Sequence, residues 1–127
     1  MNILEKEKSI HILFIEDSLA VQRTLDEWIK EEIPQAINRF AMNCEEALSQ
    51  LFEKVPDIVI LELSLPDGSG MDLLRTIRSQ FPKVKTIIFT NTTEETYRKN
   101  CTNLGVNYFL DKTFDFSKLS NCINSLF

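Results

Sequence analysis

A chain of 127 residues, 43% hydrophobic and 26% charged, has the size and make-up of one globular domain with a core of its own. Its formal net charge of −5, with no Lys/Arg cluster, argues against a nucleic-acid-binding face. No apolar stretch approaches a membrane span, and the short charged segment before residue 9 has no apolar run behind it; a cytoplasmic protein with neither anchor nor secretory signal is expected.

Two periodicities alternate along the chain. Ile10 to Ile15 (IHILFI) reads as a strand. Ser18 is a good N-cap for a helix to Glu32, with Val21, Leu25, Trp28 and Ile29 on one stripe and Pro34 as its stop. Gln35 to Ala41 is a second, more polar strand. Asn43 caps a helix carrying Ala47, Leu48, Leu51, Phe52 and Val55 and closed before Pro56, and Asp57 to Leu63 is a third, strongly apolar strand. Asp67-Gly68-Ser69-Gly70 is a turn, followed by a helix burying Leu73, Leu74, Ile77 and Phe81 before Pro82.

Lys85 to Thr90 (KTIIFT) is a fourth strand. A helix then starts at Thr92 or Thr93, with Glu94 and Glu95 in its first turn, where the macrodipole favours anions. Gly105 closes that helix, Asn107 to Leu110 is a fifth strand, and Asp115 to Leu126 is the last helix. Five strand-helix pairs in succession predict a doubly wound α/β domain, a parallel sheet covered by helices on both faces. The continuously apolar strands 1, 3 and 4 belong in the centre, and right-handed crossovers then favour the order 2-1-3-4-5.

In such a sheet a site belongs at the carboxyl ends of the strands. Strand 1 ends in Glu16-Asp17, strand 3 in Glu62, strand 4 in Thr90, and strand 5 runs into Asp111-Lys112. Carboxylates gathered in one crevice repel and call for a cation. Hard oxygen donors without histidine or thiolate favour Mg²⁺ or Mn²⁺ over zinc. Cys44, Cys101 and Cys122 are odd in number with no metal or redox spacing and read as reduced thiols, and His11, the only histidine, lies inside a strand pattern. The first strand-to-helix turn, Glu16-Asp17-Ser18, contains no glycine, which excludes a dinucleotide fingerprint or a P-loop there.

These positions together resemble the receiver domain of two-component response regulators, a flavodoxin-like fold. The resemblance covers essentially the whole chain: Glu16-Asp17, PDIVILELSLPDGSG from Pro56 to Gly70, Phe89-Thr90, and GVNYFLDK from Gly105 to Lys112. It implies phosphorelay signalling by a non-enzymatic domain, with a histidine kinase or phosphotransfer protein upstream and a downstream protein partner; charge and hydropathy, for their part, point to neither nucleic acid nor membrane as a partner. It implies that Glu16, Asp17, Glu62 and the backbone carbonyl of Ser64 hold Mg²⁺. Thr90 and Lys112 would contact a phosphoryl group, and Tyr108 would turn inward when Thr90 moves.

Glu62 departs from the family, which has at that position the aspartate that becomes phosphorylated. The extra methylene displaces the oxygens by about 1.5 Å, and misplacement of about 1 Å can cost on the order of 10²-fold in rate. Atypical or absent phosphorylation is therefore expected, with Mg²⁺ binding weakened or altered. A fixed carboxylate within reach of Thr90 and Lys112 would partly imitate the phosphorylated state. Asn91 stands where the family prefers small residues. Thr113 stands where it prefers proline, and since a non-proline cis bond costs about 2.5–4 kcal/mol, the cis peptide usual there loses its support.

Because the sequence ends with the fifth helix, a stand-alone receiver over residues 1–127 is expected, acting through the face around Tyr97 and Tyr108. Two alternatives stay open. One is an ordinary phosphoaccepting receiver with an engineered Asp-to-Glu change, or one cut from a longer regulator. The other is a Mg²⁺-dependent phosphatase on the same fold, disfavoured because Glu16-Asp17-Ser18 lacks the D-x-D pair of haloacid-dehalogenase-type phosphatases.

Overall fold

The computed structural model describes residues 8–127. Five strands form one parallel sheet: β1 (Ile10–Ile15), β2 (Ala36–Ala41), β3 (Ile58–Leu61), β4 (Lys85–Thr90) and β5 (Tyr108–Asp111). The helices between and after them are α1 (Leu19–Glu32), α2 (Cys44–Glu53), α3 (Gly70–Gln80), α4 (Glu95–Asn103) and α5 (Leu119–Ser125). The spatial order is β2-β1-β3-β4-β5, as the apolar central strands require, and every neighbouring pair is parallel. No helix among the described residues is long and apolar enough to cross a membrane.

Side-chain alternation divides the core into two layers. Leu13, Ile15, Val59, Leu61 and Ile88 face α2, α3 and α4; Ile12, Phe14, Ile58, Ile60, Ile87 and Phe89 face α1 and α5. Each fully buried aliphatic side chain contributes about 1.5–3 kcal/mol, and β1 and β3 are buried on both faces, so the centre of the sheet holds the fold together.

Several boundaries differ from the sequence reading, each for a local reason. β3 ends at Leu61 because the chain turns at once into a small hairpin, with Ser64–Leu65 paired antiparallel to Gly68–Ser69. Asp67 at its tip accepts hydrogen bonds from the Cys44 and Glu45 N–H groups at 2.7 and 3.0 Å, so a side chain from the hairpin satisfies free donors of α2. Gly70 permits the return: a Cβ there would lie 2.5 Å from the Leu63 backbone.

α4 begins at Glu95 rather than at Thr92 or Thr93, because the Thr92 N–H is taken by Thr90 Oγ1 at 3.0 Å and the loop stays open. β5 starts at Tyr108 because Asn107 pairs with Thr86 through both its backbone N–H and its side-chain Oδ1. The last helical segment is a 3₁₀ turn, Phe116–Lys118, followed by α5. Phe52 and Val55 are 64% and 52% exposed, and the Phe52 ring packs edge-on against Phe81 with centroids 5.2 Å apart. Cys44, Cys101 and Cys122 are free thiols.

Candidate functional site

Strand register brings the first two site residues together. Ile15 pairs with Leu61, and beyond that pair the Glu62 N–H still donates to Ile15 O at 3.0 Å. Glu16 and Glu62 therefore leave adjacent strands side by side, on the face shared with α1 and α5, where neighbouring strands lie only about 4.8 Å apart. Both are buried, at 3% and 7% exposure. Two ionised carboxylates so placed need a cation between them.

Lys112 supplies it. Its N–H donates to Thr90 O at 2.9 Å, pinning the residue just beyond the end of β4. From there its ammonium donates to Glu16 Oε1 and to Glu62 Oε1, both at 2.6 Å. Burial by itself would push the Lys112 pKa down, but the hydrogen bonds to Glu16 and Glu62 and their negative charge outweigh it and hold the pKa above the ordinary lysine value.

The remaining carboxylate oxygens are also occupied. Glu16 Oε2 accepts from the Ser18 N–H at 2.9 Å, and Glu62 Oε2 accepts from the N–H groups of Leu63 at 2.7 Å and Ser64 at 3.4 Å. The longer glutamate side chain folds back over its own turn and still reaches the lysine.

The other expected residues take separate positions. Asp17 is exposed. Ser64, expected to offer a carbonyl, contributes its N–H to Glu62. Thr90 is fully buried at the end of β4, and its hydroxyl oxygen accepts from the Thr92 N–H rather than meeting Glu62. Tyr108 is half-buried, with its hydroxyl sharing a 2.7 Å hydrogen bond with Ser125 Oγ near the end of α5.

Among the described residues no three His, Cys, Asp or Glu side chains form a group able to hold a metal ion. The place between Glu16 and Glu62 is filled by ammonium, and their four oxygens already have donors. As arranged, these residues do not fit a divalent cation.

Two features went unread in the sequence. Thr113 Oγ1 donates to Asn91 Oδ1 at 2.9 Å, joining the loops that follow β4 and β5. Asp111 Oδ1 accepts from the N–H groups of Thr113 and Phe114, a short Asx-type turn that sets the path beyond Lys112. The Asp-x-x residues after a strand end carried the signal for that turn. Every peptide bond in the described residues, Lys112–Thr113 included, is trans.

A family model described as response regulator receiver domain matches residues 12–124. The transcriptional regulatory protein CitT of Bacillus subtilis is 33% identical over 103 residues, covering 81% of this chain and 46% of the relative. A two-component response regulator from Clostridium difficile has a similar structure, with a TM-score of 0.85 at 25% identity, covering 93% of this chain and 95% of that one. The response regulator TrrA of Thermotoga maritima, solved with Mg²⁺ and BeF, matches with a TM-score of 0.81 at 28% identity over 93% of this chain and 99% of that one. The chain spans about half the length of the curated relatives it matches.

Proposed function

From the premise that the chain belongs to the response regulator receiver domain family of two-component signalling, we propose that it signals without phosphorylation, with Glu62 as a fixed anion at the phosphoacceptor position. One observation carries the reading. Glu62 is buried with both oxygens engaged, one on the Lys112 ammonium and the other on the Leu63 and Ser64 N–H groups. A buried carboxylate folded back onto these donors is poorly placed to attack a phosphoryl donor.

The same contacts define what the anion does. A phosphoryl group at this end of the sheet would draw in Lys112 and nearby N–H groups, and Glu62 draws them in permanently. Its imitation is partial, because Thr90 and Tyr108 keep partners of their own, Thr92 and Ser125. Mg²⁺ is not required, since Lys112 neutralises the pair that a metal would otherwise bridge.

Output passes through protein contacts on the surface of α4, β5 and α5, where Tyr97 is 40% exposed and Arg98 stacks over Phe109 at 4.4 Å. A histidine kinase or phosphotransfer protein can dock without transferring its phosphoryl group. No turnover chemistry is assigned to the domain.

The test is intact-protein mass after incubation with Mg²⁺ and acetyl phosphate, run on the parent and on Glu62→Asp. The expected result is one added phosphoryl group on the Asp variant and none on the parent. A phosphoryl group mapped to Glu62 of the parent would overturn the proposal.

A further inference from the structure

At the end of the sheet opposite Glu62, where β4 begins, a hollow of about 240 Å³ is lined by Arg78, Lys83, Val84, Lys85, Gly105 and Asn107. Three cationic residues line it in a chain of net charge −5, and no lining residue is acidic.

Arg78 is built into place. Its Nε donates to Leu104 O and its Nη1 to Val84 O, both at 3.1 Å, so two backbone carbonyls hold the guanidinium plane. Carbonyl oxygens orient this charge without neutralising it. Among the described residues, Arg78, Lys83 and Lys85 enter no ion pair. Asp57, which pairs with Lys85 only through its backbone carbonyl, directs its carboxylate to the His11 N–H on β1 at 2.8 Å.

The rest of the hollow offers space and one further donor. Gly105 has φ +80°, and even an added Cβ would meet nothing closer than Arg78 Nη2 at 3.7 Å, so the floor is open. Asn107 gives its Oδ1 to the Thr86 N–H at 2.9 Å, which leaves its amide nitrogen to donate.

A fixed guanidinium, two ammonium groups and an amide N–H form a set of donors with no carboxylate among the lining residues to balance them. Like charges gathered this way repel until an anion joins them. A phosphate group brings about −1.5 to −2 of charge and three acceptor oxygens, and matches the guanidinium fork better than a single carboxylate. At ~30 Å³ per water the volume is that of about eight waters, room for more than one phosphate group.

We infer that this hollow binds a small phosphorylated molecule, at a site separate from Glu62 and independent of its chemistry. ¹⁵N–¹H correlation spectra of the full chain, titrated with sodium pyrophosphate at constant ionic strength without divalent metal, test it; sodium sulfate serves as the comparison anion. Saturating shifts are expected at Val84, Lys85, Gly105 and the Asn107 side-chain amide. Affinity should fall by about tenfold or more in Lys83→Glu/Lys85→Glu.

Asn107→Asp should weaken it as well, while keeping the acceptor for Thr86 and so the fold. Shifts that stay linear with concentration and equal in parent and variants would mean diffuse screening and overturn the site. Saturation centred on Thr90 and Lys112 would overturn its location. Sulfate binding as tightly as pyrophosphate would overturn the phosphorylated class.

Discussion

Thr113 Oγ1 donates a 2.9 Å hydrogen bond to Asn91 Oδ1, and these residues directly follow Thr90 and Lys112. The loop beyond β4 is thus tied to the loop beyond β5 next to the ammonium that joins Glu16 and Glu62. Backbone pairing of Lys112 N–H with Thr90 O sets the spacing at which the two side chains meet.

That tie should be measurable as a coupling. Asn91→Ala and Thr113→Ala are each expected to cost about 0.5–1.5 kcal/mol, and the double variant less than their sum. Urea denaturation of the four proteins gives the cycle; strictly additive losses would show that the side chains do not act as a pair.

Removing the central cation should cost more. Lys112→Met leaves two buried carboxylates facing each other and is expected to destabilise the domain by about 3 kcal/mol or more. Glu62→Gln should cost less, because the ammonium keeps Glu16. Equal denaturation midpoints for Lys112→Met and the parent would refute the pairing.

Alkali should erase the same contribution. The Lys112 pKa in the folded protein lies above its ordinary value of 10.5, so the stability it adds is fully present below that value and is lost as pH rises through the higher folded one. The difference in stability between parent and Lys112→Met is therefore expected to be constant from neutral pH to about 10 and to shrink above it. Denaturation series at successive pH values measure this, and a difference that fades already between pH 7 and about 9 contradicts the assigned cause.

Cys44 gives a second pH reading. Burial, followed by its hydrogen bond to Asp67 and the charges of Asp67 and Asp72, pushes its thiol up to about 11. Alkylation by iodoacetamide, followed by peptide mass mapping, should be slow at pH 8 and accelerate toward pH 11. Asp67→Asn should move the acceleration to lower pH. A Cys44 that reacts at pH 8 as fast as a free thiol would rule out the Asp67 contact.

The alternation of strands and helices, the central position of β1, β3 and β4, and the order of the sheet were legible in the sequence because each rests on local periodicity and the turn residues between segments. So was the gathering of Glu16, Glu62, Thr90 and Lys112 at one end, which follows from parallel strands ending on the same side. Boundaries proved less legible where a side chain competes with the backbone for a partner, as Thr90 does for the Thr92 N–H and Asn107 for Thr86.

What the sequence by itself determined is therefore the set of groups delivered to the crevice, while the tertiary structure decided who meets whom. Lys112 bridges residues 96 and 50 positions away, and no local pattern encodes that choice. It depends on strand register, on a lysine long enough to cross the end of β4, and on a glutamate whose extra methylene lets it fold back over its own turn. The Asn91–Thr113 tie, the Asp67 cap on α2 and the hollow around Arg78 arise in the same way, from side chains that only the packed sheet brings within hydrogen-bond distance.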